Sequence, residues 1–308
     1  SEIPSPGGVP EGRGGSGDPN PDVGARRALP LKQETDRRDL IHQIRDDFIS
    51  PFDLSRAPLL RVGLEKLPEG GPVSYILIVD MHHIITDGTS VSILEKEFID
   101  LLAGESLPRT RVRYRDYADR QNRMRNSRFI KNKETFWLDE FFGEIPVLEL
   151  PVDYERPENW SFEGSALTFE IDSEKTRMLT ALARHEDATI YMVLLTVIKV
   201  SMAKLANCED VVIGSPAAGR SHADLQHTIG LFINTLALRS YPSGSKPFRD
   251  FLKEVKDVSL RAMENQEYQF EDLVEKVSVG RDTSRNPLFD VMFTYQNRNI
   301  RISIKLPS

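Results

Sequence analysis

Residues 73–102 read, in immediate succession, as a buried strand, a turn and an amphipathic helix, and the turn carries two adjacent histidines. The run VSYILIVDM at 73–81 is almost continuously apolar and rich in β-branched residues, which predicts a buried strand. The segment MHHIITDGTS (81–90) follows, placing His82 and His83 at the strand end and Asp87 and Gly88 at the turn. Val91, Leu94, Phe98 and Leu101 then recur at helical spacing, so a helix is predicted from about Thr89 to Leu102, with Ser92 and Glu95 as a capping box near its start.

The pleat of a strand alternates side chains between faces. Carried through the turn, it sets His83 with Tyr75, Leu77, Val79 and Met81, and His82 with Asp80 on the other side. One imidazole, not two, can then be aimed at a substrate. A lone histidine at a strand end is more often a hydrogen-bonded core residue. Asp87 carries two readings as well: a helix N-terminal residue satisfying backbone donors, or part of a functional site. A metal site is disfavoured, because the histidines alternate and no third ligand clusters with them.

At 308 residues, with 39% hydrophobic and 28% charged residues, the chain suits a soluble protein of two ordinary domains or one large one. Its net charge of −7 offers no basic footprint for nucleic acid. The longest apolar stretch, 190–198 with extensions to Leu205, is interrupted by Lys199 and Lys204 and reads as a buried helix, not a membrane span. No signal-peptide pattern opens the chain. Cys208 is the sole cysteine, which rules out an internal disulfide and fits a reducing cytoplasm.

Residues 1–30 are dense in Gly, Pro and charge, and read as a disordered leader. The expected division is a leader at 1–37, a first lobe at 38–144, a Pro-rich bridge at 145–165 and a second lobe at 166–308. Strands are expected around 60–64, 166–172, 209–215, 288–296 and 299–305, and helices at 173–184, 189–205 and 247–265. Strands and helices alternate through both halves, so the fold class is α/β or α+β with layered sheets.

Several segments together resemble one family. They are HHIITDG (82–88), YRDYADRQ (114–121), SPAAGRSHADLQHTIGLFINTLALR (215–239), NQEYQFEDLVEKV (265–277) and RDTSRNPLFDVMFTYQN (281–297). In order and spacing they are similar to the condensation domains of nonribosomal peptide synthetases, a branch of the chloramphenicol-acetyltransferase-like acyltransferases. The resemblance covers about 38 to 298.

It implies two chloramphenicol-acetyltransferase-like lobes around a central tunnel, with peptide-bond formation between a donor thioester and an acceptor amine. Both substrates would ride on the phosphopantetheine arms of partner carrier domains, with an adenylation domain as neighbour and no directly bound cofactor. By similarity His83 takes the catalytic role, orienting the attacking amine, with His82 beside it. Asp87 becomes structural and pairs with an arginine, for which Arg220 is the candidate, although a solvated surface arginine is the competing reading. Gly88 would let backbone approach substrate closely. Asn234 and Thr235 would line the tunnel or serve as ordinary strand-edge polar groups. Tyr114, Asp116 and Tyr117 are assigned to lobe packing, and the stretch from Arg281 through Arg285 and Asn286 to organising the fold.

Against the family pattern both ends are expected to be incomplete, and Gln269 stands where proline is usual. Two alternatives therefore accompany the condensation reading: a non-catalytic carrier-binding fragment, and an acyl-CoA-dependent transferase of the same fold.

Overall fold

The computed structural model describes residues 34–67, 75–158, 163–277 and 282–296. The leader and the strand expected at 299–305 lie outside the described residues. The chain divides into two compact units, one running through Met81 and the other from His82. Among the described residues no single helix is long and apolar enough to cross a membrane.

In the first unit α1 (Glu34–Phe48) leads to β1 (Leu60–Lys66) and β2 (Tyr75–Met81). The strands pair antiparallel, with Leu60 opposite Met81, Val62 opposite Val79 and Leu64 opposite Leu77. These cross-strand apolar pairs are what the alternating sequence of both strands calls for. Gly63 points to the other face, where a Cβ would run into the Phe48 ring, so the glycine admits the end of α1. Arg61 lies opposite Asp80 and pairs with it at 2.7 Å. The expectation of a buried strand at 73–81 is corrected, since Tyr75, Leu77 and Val79 are 52%, 40% and 39% exposed. Among the described residues this sheet has two strands only, and a ribbon of two strands does not bury its own apolar face.

The second unit begins with a 3-10 turn (His83–Ile85) and α2 (Gly88–Leu102), followed by α3 (Tyr114–Met124) and α4 (Arg128–Glu140). Next come α5 (Ser173–His185), α6 (Ile190–Ala206), β3 (Val211–Ala217), β4 (Asn234–Ser240), α7 (Phe248–Glu264) and α8 (Phe270–Lys276). β3 and β4 pair antiparallel, with Val211 opposite Ser240 and Ala217 opposite Asn234. α6 starts where Thr189 accepts from the Met192 amide and stops at Asn207, whose φ of 49° is left-handed.

The core forms where α6 and α7 meet this strand pair, around Leu195, Val211, Ile213, Leu238, Phe251 and Val255. One charged group lies inside it. Lys199 on α6 has no exposed surface and donates to the Leu238 carbonyl at 2.6 Å and the Ser240 hydroxyl at 2.9 Å. Burial pulls its pKa down to about 7, against the opposing pull of Glu254 and Asp210.

Two expected strands are corrected. Residues 166–172 form no strand and have no strand partner among the described residues, and Leu167 and Phe169 are exposed. Of 288–296, the segment around Met292 alone pairs, as a parallel bridge in which the Phe293 amide donates to Gly214 at 2.8 Å. A strand requires backbone partners, and apolar alternation does not supply them. The bridge is tied down by Arg285, which reaches the Leu148 carbonyl, both Glu149 oxygens and Asp290.

Candidate functional site

The site is built on one buried carboxylate. Asp87 caps α2, its backbone extended at φ −131°, with Oδ1 accepting from the Ser90 amide at 2.8 Å. Oδ2 accepts from the Phe232 amide at 3.0 Å. Arg220 donates from Nη2 to both carboxylate oxygens, at 3.1 and 3.4 Å. The two sequence readings of Asp87 are therefore one arrangement, a helix cap that is also an ion pair. Burial raises the Asp87 carboxyl, but hydrogen bonds from Ser90, Phe232 and Arg220 outweigh it and hold the group below its ordinary range.

Arg220 meets this carboxylate with a side chain only 2% exposed, both of its Nη groups bonded and its buried Nε without a hydrogen-bond partner among the described residues. Nη1 donates to the Leu225 and Thr228 carbonyls, each at 2.6 Å, and Nη2 also donates to the Ser90 hydroxyl at 2.8 Å. The guanidinium stacks over Phe232, 4.1 Å from the ring centre. A planar fork with five donors suits such a site, where a lysine would leave carbonyls unanswered. The Ser90 hydroxyl donates to the Gly230 carbonyl at 2.8 Å and accepts its amide at 3.0 Å.

Two glycines make this closeness possible. Gly219 has φ +66°, and a Cβ there would run into the Phe232 carbonyl oxygen. At Gly230 a Cβ would meet the Tyr114 ring. Tyr114 donates to the Leu231 carbonyl at 2.9 Å, and Tyr114 and Tyr117 pack on Phe232 with ring centres 5.2 and 4.8 Å away. Asp116 accepts from the Arg113 amide at 3.1 Å and so starts α3.

The histidines sit directly before this lattice. β2 ends at Met81, so strand alternation does not set their directions, which corrects the sequence argument. His82 caps the 3-10 turn, its Nδ1 accepting from the Ile84 amide at 3.1 Å. His83 is the first residue of that turn and is exposed. Gly88, also exposed, opens α2 one residue before the expected start. The expected Ser92–Glu95 capping box is replaced by the Asp87 cap, and the Ser92 hydroxyl donates back to the Gly88 carbonyl at 3.3 Å.

Asn234 and Thr235 open β4, two and three residues beyond Phe232. The Asn234 amide donates to the Gln266 and Tyr268 carbonyls at 2.7 Å each, while its oxygen accepts from the Thr235 and Phe270 amides. That side chain holds the turn between α7 and α8. Sequence reasoning did not single out Ser90 or Phe232. Ser90 carried a usable signal, because it stands three residues after an N-cap aspartate.

A profile described as Condensation domain matches residues 27–305. Bacitracin synthase 3 of Bacillus licheniformis is 49% identical over 250 residues, covering 81% of this chain and 4% of that protein. Surfactin synthase subunit 1 of Bacillus subtilis (strain 168) is 46% identical over 270 residues, covering 88% of this chain and 7% of that protein. The chain thus spans a small part of the curated relatives it matches. Among solved structures, a four-domain nonribosomal peptide synthetase bound to AMP and glycine superposes with a TM-score of 0.74 at 26% identity, covering 87% of this chain and 20% of that one. The X-domain from teicoplanin biosynthesis shares the fold, with a TM-score of 0.73 at 22% identity over 86% of this chain and 60% of that one. With the histidine turn and its supporting lattice in place, the chain belongs to the Condensation domain family.

Proposed function

We propose that the chain joins two carrier-bound substrates by an amide bond, as part of a cytoplasmic nonribosomal peptide synthetase. The acceptor α-amine attacks the donor thioester carbonyl. The C–N bond forms, the C–S bond breaks, the amine proton is lost, and the donor phosphopantetheine thiol is released. The carrying observation is an exposed His83 on a turn whose following helix is pinned by a buried cap and ion pair. An imidazole held this way can orient the attacking nitrogen and receive its proton. An α-amine with a pKa near about 8 is partly neutral already, so positioning supplies much of what the reaction needs. Asp87, Arg220 and Ser90 act through the backbone they hold, and Gly88 leaves the start of α2 free of a side chain. The partners on this reading are donor and acceptor carrier domains and a neighbouring adenylation domain.

The test is dipeptide formation on loaded donor and acceptor carrier domains, comparing the chain with His83→Ala. Product from the unaltered chain and its loss in the variant support the reading. Equal product from both would sink it.

A further inference from the structure

Residues 109–131 hold eight arginines and one lysine against two acids, Asp116 and Asp119, in a chain whose net charge is −7. All nine cations are exposed. Arg111 and Arg125 pair with carboxylates from elsewhere, Asp224 and Asp272. Among the described residues no ion pair engages Arg109, Arg115, Arg120, Arg123, Arg128 or Lys131. Like charges left side by side repel and gain nothing for the fold, and such an arrangement suits an anionic partner.

The helix beneath explains how the strip is presented. α3 turns Tyr114, Tyr117, Gln121 and Met124 inward at helical spacing, and its outer side carries Arg115, Arg120 and Arg123. Met124 and Ser127 close a tight turn, the Ser127 amide donating to the Met124 carbonyl at 2.8 Å, and α4 continues the strip with Arg128 and Lys131. Tyr114 and Tyr117 fix the inner side on Phe232, the residue that also holds Asp87. The cationic face is thus one helix thickness, about 10 Å, from the lattice that supports the histidine turn.

We propose that this strip is the docking face for an acidic protein domain, namely a carrier domain that presents a thioester on its phosphorylated arm. That identity rests on the function proposed above, and the sign of the partner rests on charge. A nucleic acid is the lesser fit: the negative charge of the chain as a whole opposes a long polyanion, and α3 is about 16 Å long, the scale of one short helix of a partner.

The experiment uses the full chain and a triple variant, Arg115→Glu/Arg120→Glu/Arg123→Glu, with Arg→Gln at the same positions as the milder form should the first not fold. Fluorescence anisotropy measures affinity for a labelled holo carrier domain of net negative charge across a salt series. Turnover is measured separately on soluble N-acetylcysteamine thioesters, which need no carrier. The expected result is affinity weakened at least about ten-fold with a flattened salt dependence, and unchanged turnover of the soluble thioesters. Undiminished carrier binding by a folded variant overturns the proposal. So does a strip that binds RNA or anionic vesicles and not the carrier. Strip-dependent carrier binding by a chain that makes no peptide upholds the docking face while refuting the reaction.

Discussion

The Ser90 hydroxyl meets the Arg220 guanidinium at 2.8 Å in a fully buried position, and the same hydroxyl bridges both backbone groups of Gly230. One small side chain therefore links the first turn of α2 to the segment beyond residue 220. Both Asp87 carboxylate oxygens, the Ser90 hydroxyl and both Arg220 Nη groups each have more than one partner, so a change at one is felt by several.

Asp87→Asn keeps a competent helix cap but leaves Arg220 buried without its counter-charge. It should destabilise the chain by about 3–5 kcal/mol, and Asp87→Ala by about 1 kcal/mol more through loss of the cap. Urea unfolding measures both. Asp87 also carries a pH signature. Its folded pKa lies below its unfolded one, so its stabilisation is complete above the unfolded value, about 3.9, and is lost as pH falls through the folded value. Acid unfolding of Asp87→Asn should lack this component. An identical acid limb in both proteins would contradict the lattice.

The two adjacent histidines should separate cleanly. His83→Ala removes an exposed side chain, so its melting curve should move by no more than about 0.5 kcal/mol while peptide formation is lost. His82→Ala removes the acceptor for the Ile84 amide and should cost about 1 kcal/mol. Thermal melts beside a dipeptide assay distinguish these outcomes. A large stability loss in His83→Ala would mark it as a structural residue.

Gly219→Ala places a Cβ against the Phe232 carbonyl at a left-handed φ of +66°. Relief demands movement of the segment that donates to Asp87, so the cost should exceed about 2 kcal/mol. Gly244→Ala meets nothing within 4 Å and serves as the control, with a change near zero expected in the same denaturation series.

Lys199 gives a second pH dependence, of the opposite kind. Its folded pKa is depressed to about 7, so between that value and about 10.4 the unfolded chain binds the extra proton. Stability attributable to Lys199 therefore rises with pH across this window. Lys199→Met should abolish the rise and stabilise the chain at neutral pH. Denaturation midpoints at pH 7, 8, 9 and 10 for both proteins make the comparison, and parallel curves would refute it.

The legible parts of this molecule were those with a local signal. The interior helix announced itself because Ile190–Ala206 is apolar on nearly every side, and the structure has it within a residue of the expected span. Leu167, Phe169 and Ile171 alternate just as convincingly, yet they have no partner among the described residues, because pairing is decided by distant chain. His83, Asp87 and Arg220 were nominated from motifs shared with a family, since no periodicity reveals that residues 133 apart in sequence will touch. Ser90 had a local signal for its amide, three residues after a capping aspartate, but none for its hydroxyl, whose partner Gly230 lies 140 residues later.

That separation has a consequence for the order of assembly. The Asp87 carboxylate waits for Arg220 and for Phe232, 145 residues downstream, and closing so large a loop is entropically late. During synthesis on the ribosome α2 therefore emerges long before the groups that pin its first turn. That turn is pinned only once the chain past Phe232 has emerged, which makes the joining of Asp87, Arg220 and Phe232 a late step of folding.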